Sequence, residues 1–246
     1  MSVTVKSQRE IELMREAGKI LGTVLNELEK ECKPGVTTYH INKIGEEMIK
    51  SYGCIPSFKG YQGYPAAICV SVNDEIVHGI PSKKRVLKEG DIVSLDAGVI
   101  HKGYHSDAAR TYGIGKISDE AAKLIEVTRQ SFFEGIKYAK EGCHLYEISN
   151  AIAQYNESFG YGVIRDLVGH GIGKSVHEDP EVPNFGRPGR GPKLVAGMAL
   201  AIEPMVNMGT YRVATLGDDW TVVSADKSLS AHYENTVVIL PDGPEI

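Results

Sequence analysis

LKEGDIVSLD (87–96) and LVAGMALAIE (194–203) are the two stretches of sequence that decide the fold. They lie 107 residues apart, and each has a leucine and a glycine at matching positions, followed by residues typical of a buried strand. Both end in a carboxylate, Asp96 in the first and Glu203 in the second. A constant offset of this kind is the signature of an internal repeat, so we predict that the chain contains two related halves.

The segments around these stretches repeat the order helix, helix, strands. Helical spacing of apolar residues predicts four helices, over residues 7–31, 38–53, 118–140 and 145–159. Apolar and alternating runs predict strands over residues 67–72, 91–100, 107–112, 198–206, 221–223 and 232–240. The interpretation is an α+β fold in one domain, residues 1–246, whose halves (approximately 1–115 and 116–246) pack around a pseudo-two-fold axis. Chance similarity of two helix–strand blocks is the alternative.

Composition excludes several classes of protein. The 246 residues include 27 Lys+Arg against 32 Asp+Glu, a net charge of −5, which argues against a dedicated DNA or RNA binder. The chain has no run of 18 apolar residues that could span a membrane, and its first residues lack the apolar region of a signal peptide. The four cysteines show no CxxC spacing, so we predict reduced thiols in a cytoplasmic protein.

The segment DAGVIHKGYHSD (96–107) predicts a β-hairpin with a carboxylate on each strand. A two-residue loop at His101-Lys102 would place Asp96 directly opposite Asp107, with Cβ atoms about 5 Å apart on one face. Gly103 leaves this register open by one residue, since it can form a bulge. Like charges at opposite positions destabilise a sheet unless something neutralises them. Two exposed acids in a surface hairpin are the alternative, although the apolar strand before Asp96 argues against it.

Three further residues interrupt apolar or glycine-rich segments. Glu203 ends an apolar strand, Glu234 interrupts another, and His170 has a glycine on either side. Buried charges are paired or coordinate metals, and two divalent cations would balance four carboxylates. Oxygen-rich ligation with one imidazole suits Mn²⁺, Fe²⁺ or Co²⁺, and Zn²⁺ is also acceptable. The sequence therefore predicts a site for two divalent cations.

Six short motifs add a resemblance to a known family. In chain order they are VHGIP (77–81), SLDAG (94–98), YHSDAART (104–111), GHGIGKSVHEDP (169–180), AIEP (201–204) and HYENT (232–236). Together they resemble the type I methionine aminopeptidases of the pita-bread metallopeptidase superfamily, over nearly the whole chain. The resemblance implies a single catalytic domain in which two pseudo-symmetric halves form a central antiparallel sheet with flanking helices.

The resemblance also implies a role for each of the five acidic and imidazole residues. Asp96 would chelate one metal ion, His170 and Glu203 would hold the other, and Asp107 and Glu234 would bridge the two. A water bridging the metals would attack the peptide bond. Glu203 would accept its proton and return it to the leaving nitrogen.

Two histidines and an apolar pocket would contact the substrate. His78 and His177 lie in similar motifs of the two halves; His177 would donate to the developing oxyanion and His78 would place the substrate. The residues implied to line the pocket for the first side chain are Phe58, Tyr61, Tyr64, Cys69, Val176 and Trp220. From the sequence alone these six are equally compatible with a structural core. The chain departs from the family pattern at Phe58, where a small residue is common, and at His232 and Asn235, which flank the last glutamate.

Three functions compete at this stage. The first is removal of the initiator methionine from nascent polypeptides when the second residue is small. The others are a proline-directed peptidase, which usually carries a further N-terminal domain, and a non-catalytic binding module, which should have lost ligands. We expect a monomer that acts on nascent chains beginning with Met. Basic residues at positions 83–85, 187 and 190 are candidates for ribosomal RNA contact, although a solvated surface explains them more simply.

Overall fold

Four amphipathic helices form the outer layer of the structure, a computed structural model that describes residues 3–246. Helix α1 (Gln8–Glu29) begins with a capping box, in which Ser7 and Glu10 each accept a hydrogen bond from the other's backbone N–H. Helices α2 (Thr38–Ser51), α3 (Asp119–Ile136) and α4 (Leu145–Glu157) follow. The four predicted helices are therefore confirmed, and each ends a few residues earlier than predicted.

The first half of the chain builds a four-stranded antiparallel sheet. Its strands are β1 (Ile55–Pro56), β2 (Ile68–Val72), β4 (Ile92–His101) and β5 (Tyr104–Gly113), while β3 (Glu75–Val77) pairs elsewhere. Strand β4 is central, with β1 and β2 on one edge and β5 along the whole of the other. Each predicted strand of this half is confirmed.

The register of the β4–β5 hairpin differs from the prediction. The loop is Lys102-Gly103, because His101 pairs with Tyr104. Both loop residues have positive φ, 49° and 86°, as a type I′ turn requires, and Gly103 adopts this conformation without steric cost. Asp96 therefore pairs with Ala109, and Asp107 pairs with Gly98, so the two acids are diagonal rather than directly opposite. The shift is two residues, which leaves both side chains on the same face.

The second half builds a five-stranded sheet and several short strands. The strands are β6 (Gly162–Val163), β7 (Gly169–Gly171), β8 (Glu178–Val182), β9 (Ala199–Ile202), β10 (Met205–Asn207), β11 (Val213–Thr215), β12 (Val222–Ser224), β13 (Ser230–His232), β14 (Asn235–Leu240) and β15 (Gly243–Glu245). The five-stranded sheet has the order β15-β14-β9-β7-β8. The strand predicted over 198–206 is split at Glu203-Pro204, since proline cannot donate to a sheet. The strand predicted over 232–240 is split at Tyr233-Glu234.

Each half has its own apolar core. In the first, Leu21 and Leu25 of α1 and Ile41 of α2 pack against the β4 sheet. In the second, Phe132 of α3 and Ile148 of α4 pack against the β9 sheet. Among residues 3–246, no helix is long and apolar enough to cross a bilayer.

The two sheets meet where β5 approaches β14. Ala109 and Glu234 exchange backbone hydrogen bonds of 3.3 and 3.0 Å, and Thr236 Oγ1 accepts from the Asp107 N–H at 2.8 Å. The isolated bridges Thr37–Val86 and His144–Lys193 lie 107 residues apart in the chain, the offset of the sequence repeat. The predicted α+β class is confirmed, and the recurring offset supports an internal duplication. The junction brings the acids of both halves to one place.

Candidate metal centre

A cavity of about 340 Å³ opens between the two halves. It brings together nearly all of the residues that the sequence proposed for metal and substrate. Its lining comprises Phe58, Tyr61, Gln62, Tyr64, Cys69, His78, Asp96, Asp107, His170, His177, Glu203, Trp220 and Glu234. The volume lies in the range of sites for small ligands.

Four carboxylates, Asp96, Asp107, Glu203 and Glu234, form one side of the cavity, which we call the acidic floor. Asp96 and Asp107 project from β4 and β5, at the centre of the first sheet. Glu203 directly follows β9, and Glu234 directly precedes β14. Because β5 is hydrogen-bonded to the start of β14, the acids of the two halves are held side by side. Strands thus carry Asp96 and Asp107, and strand ends carry Glu203 and Glu234.

Three of the four carboxylates, Asp107, Glu203 and Glu234, lie close enough to a histidine and to each other to hold a cation. Asp107, His170 and Glu234 offer atoms that all lie within 4.8 Å of one another, and so do Glu203, His232 and Glu234. His170 Nε2 lies 3.6 Å from Glu203 Oε1.

His170 is held in the orientation of a metal ligand. Its Nδ1 lies 2.9 Å from the Gly171 carbonyl oxygen, to which it donates, so Nε2 presents a lone pair to the acids. Strand β7 lies between β8 and β9, and a Cβ at Gly169 would lie 2.3 Å from the Ala201 oxygen. The two glycines that flank His170 therefore let its backbone approach its neighbours closely.

The acidic floor is electrostatically costly by itself. Burial raises the pKa of Asp96 to about 7 and that of Glu203 to about 8. Burial and the neighbouring carboxylates raise the pKa values of Asp107 and Glu234 well above their ordinary range. One oxygen of Asp96 and one of Asp107 find no hydrogen-bond partner among the described residues. Such a set of unpaired, mutually repelling oxygens with one oriented imidazole fits divalent cations.

His78 and His177 lie at the upper part of the cavity. The His177 ring is 4.2 Å from that of His170, and its Nδ1 is 2.9 Å from the Tyr61 hydroxyl. His78 has a φ of 60°, a conformation rare outside glycine and typical of functional sites, and its ring meets Trp220 edge to face at 6.2 Å. Both imidazoles therefore line the same cavity as the four acids.

Phe58, Tyr61, Tyr64 and Trp220 also line the cavity, and we call this group the aromatic rim. Tyr64 contacts Trp220 edge to face at 5.1 Å, and its hydroxyl donates to the Gly79 carbonyl oxygen at 2.9 Å. Cys69 lines the cavity beside them. Val176 is buried and packs behind this wall, in one cluster with Phe58 and Tyr64.

Two residues of the site were given no role by the sequence. Gln62, in the short 3₁₀ turn at Tyr61–Gly63, lines the cavity. His232, which the sequence singled out only as a departure from the family pattern, is buried beside Glu203 and Glu234. A histidine two residues from a predicted ligand was the available signal.

Comparison with known proteins gives the same family along the whole chain. Residues 12–241 match the model of Metallopeptidase family M24. The chain is 64% identical to the methionine aminopeptidase of Clostridium acetobutylicum, over 99% of this chain and 98% of that protein. It is 50% identical to methionine aminopeptidase 1 of Bacillus subtilis, with the same coverage.

Comparison with solved structures gives the same family. The crystal structure of the methionine aminopeptidase from Thermotoga maritima matches with a TM-score of 0.98 at 46% identity, over 100% of this chain and 98% of that one. The prolidase from Pyrococcus furiosus shares the fold, with a TM-score of 0.79 at 23% identity, over 98% of this chain and 64% of that one. The predicted pita-bread fold is confirmed. The chain therefore belongs to metallopeptidase family M24 and, within it, to the methionine aminopeptidases.

Proposed function

We propose that this metallopeptidase removes an N-terminal methionine from polypeptides whose second residue is small, using two divalent cations. One observation carries the proposal: the acidic floor and the aromatic rim line one and the same cavity. The floor supplies the donors of a hydrolytic metal centre. The rim supplies an apolar surface for one unbranched side chain.

The five residues Asp96, Asp107, His170, Glu203 and Glu234 would hold the cations. Asp96 and Asp107 come from the first half, and the other three from the second. When bound, two such cations lower the pKa of a water toward neutrality and polarise the scissile carbonyl. Mn²⁺, Fe²⁺, Co²⁺ and Zn²⁺ all suit this donor set.

Glu203 is proposed as the general base. Burial raises its pKa to about 8, which makes its carboxylate a stronger proton acceptor than an exposed glutamate. It lies at the break between β9 and β10, where its side chain reaches the cavity. Glu203 would take the proton of the attacking water and return it to the leaving nitrogen.

His177 and His78 are proposed to handle the substrate. His177 is exposed at the mouth of the cavity, and the Tyr61 hydroxyl orients its ring through Nδ1. Its other nitrogen would donate to the oxygen of the scissile carbonyl as negative charge develops there. Burial lowers the pKa of His78 to about 4, so its imidazole is neutral and can position the peptide by hydrogen bonding.

The aromatic rim is proposed to select methionine. Phe58, Tyr64 and Trp220 present apolar ring surface, and Cys69 adds a sulfur atom. A thioether is flexible and polarisable, and it makes favourable contacts with aromatic rings. Val176, packed behind the rim, would act by supporting Phe58 and Tyr64.

Metal-stripped protein tests the proposal. We expect no activity without metal, and cleavage of Met-Ala-Ser after Mn²⁺ or Co²⁺ is restored. Met-Leu and Met-Lys peptides should resist, because the second position is expected to accept only small residues. Cleavage of Ala-Pro or Leu-Pro peptides with Met-Ala-Ser untouched would instead identify a proline-directed enzyme.

We also propose that the protein acts as a cytoplasmic monomer. All four cysteines are unpaired, which suits a reducing compartment. One chain supplies every residue assigned to the site. Its substrates would be nascent polypeptides, and exposed basic residues near Lys83 and Arg190 are the surface on which to test contact with the ribosome.

A further inference from the structure

His232 lies at the base of the acidic floor and is held there by its backbone. It ends strand β13 and pairs with Met205 of β10. Thr111 Oγ1 accepts from the His232 N–H at 2.9 Å, and the Tyr233 N–H donates to the Pro204 oxygen at 3.1 Å. The segments that carry Glu203 and His232 are therefore fixed relative to each other.

The His232 ring is buried, with only 1% of the residue exposed, and it faces two acids. Its Nε2 lies 3.4 Å from Glu203 Oε2 and 3.9 Å from Glu234 Oε2. Neither ring nitrogen has a hydrogen-bond partner within residues 3–246. Glu203 thus lies between two imidazoles, with Oε1 toward His170 and Oε2 toward His232.

The two imidazoles differ in how they are held. His170 donates through Nδ1 to a backbone carbonyl, which keeps Nε2 free to bind a cation. A buried Nδ1–H of His232 would have no acceptor among the described residues. A proton on Nε2, in contrast, would point at Glu203, and a small movement would bring the 3.4 Å contact into the usual range of a hydrogen bond.

We propose that His232 is a positioning residue for the general base: its Nε2–H donates to Glu203 Oε2 and so keeps Oε1 directed toward His170. The inference rests on the proposed role of Glu203. His232 itself is not among the residues that line the cavity. A donor at His232 Nε2 fixes the orientation of the Glu203 carboxylate. It also gives a hydrogen bond to Oε2, the oxygen that faces away from His170.

Two substitutions distinguish the effect of the N–H donor of His232 from the effect of its imidazole ring. His232→Gln keeps an N–H donor, whereas His232→Leu removes it. Donors that hydrogen-bond to the residues of a metal site commonly contribute about 10–100-fold, so His232→Leu should lower kcat on Met-Ala-Ser by that factor with KM unchanged. His232→Gln should restore most of kcat. Calorimetric titration with Co²⁺ should show the same number of bound ions in both variants. His144→Leu, at the start of α4 and outside the lining of the cavity, should leave kcat unchanged.

Three results would overturn the inference. Loss of one bound Co²⁺ in His232→Leu would make His232 a ligand. An equal loss of kcat in both variants would mean that the N–H donor does not account for the loss. A native kcat in His232→Leu would mean that His232 has no role in positioning Glu203.

A double-mutant cycle makes the test independent of activity. Unfolding free energies of the metal-free protein are measured by urea for the native chain, His232→Leu, Glu203→Gln and the double variant. A hydrogen-bonded pair should give changes in unfolding free energy that do not add, whatever their signs, and additive changes would contradict the contact. If the native protein does not cleave Met-Ala-Ser, the proposed function is wrong. The double-mutant cycle still tests the His232–Glu203 contact in that case, because it does not depend on activity.

Discussion

The acidic floor and the aromatic rim of the cavity are built in different ways. The floor projects from β4, β5 and the ends of β9 and β14, which are fixed by sheet hydrogen bonds. The rim comes from the loop between β1 and β2 and from a turn before β12, in which Asp218 accepts from the Trp220 and Thr221 N–H groups. The proposed metal ligands of the floor therefore lie on strands or directly at strand ends, and the proposed selective surface lies on loops.

The two sides also differ in their effect on stability. Rim residues bury apolar surface and stabilise the fold, at about 25 cal/mol per Å² of apolar area. Floor residues are like charges removed from water, which destabilises the fold until cations neutralise them. We therefore expect metal binding and folding to be coupled through the floor, and substitutions in the rim to leave metal binding unchanged.

The largest expected effect comes from Asp107→Asn, which removes a charge from the floor at nearly constant size. Activity on Met-Ala-Ser should fall to a small fraction, with one bound metal lost. In EDTA-treated protein the same change should raise the Tm, since one repelling charge is gone, while the Tm gain on adding Co²⁺ should shrink. Asp242→Asn, at an exposed position, is the control. Full metal occupancy with near-native turnover would contradict the assignment.

Glu203→Gln should have the next largest effect. Glutamine keeps the size of the side chain and one ligating oxygen, but it cannot accept a proton. Loss of a general base costs about 10²–10⁴-fold, and here it should appear in kcat with little change in KM. Steady-state kinetics with Co²⁺ content measured in parallel checks this. A change in KM alone would place the base elsewhere.

His177→Ala tests the boundary between floor and rim, because its ring contacts His170 on one side and Tyr61 on the other. Removing one donor to a developing oxyanion typically costs about 10²–10³-fold in kcat. Metal content should stay native, which distinguishes this role from ligation. Tyr61→Phe, which loses only the hydroxyl that orients the ring, should show a smaller loss in the same direction. Metal loss in His177→Ala would make His177 a ligand.

The sequence predicted the acidic floor better than the rim, for a physical reason. An acid within an apolar strand is anomalous, so Asp96, Glu203 and Glu234 stood out, and all of them line the cavity. An aromatic residue in a loop is equally typical of a core. Phe58 and Trp220 were therefore placed at the site only through the family resemblance.

Details that depend on the turn type and on long-range strand pairing could not be predicted from the sequence. The hairpin register was wrong by two residues because the two-residue loop requires positive φ at Lys102 as well as at Gly103. The sequence predicted no strand around His170, but His170 lies on strand β7 between two partners. Such short strands have no periodicity of their own, since long-range pairing alone defines them.

The smallest expected effect concerns the rim. A missing or misplaced methylene changes transition-state binding by about 1–3 kcal/mol, so native kcat/KM should favour Met-Ala-Ser over Leu-Ala-Ser by about 10–200-fold. Phe58 packs closely over Gly98, where an added Cβ would lie 2.9 Å from its ring, so the phenyl group is fixed against the cavity. Phe58→Ala should enlarge the pocket and reduce the difference in kcat/KM between Met-Ala-Ser and Leu-Ala-Ser, with metal content unchanged. Undiminished discrimination in that variant would mean that the other rim residues select methionine, and metal loss would contradict the independence of rim and floor.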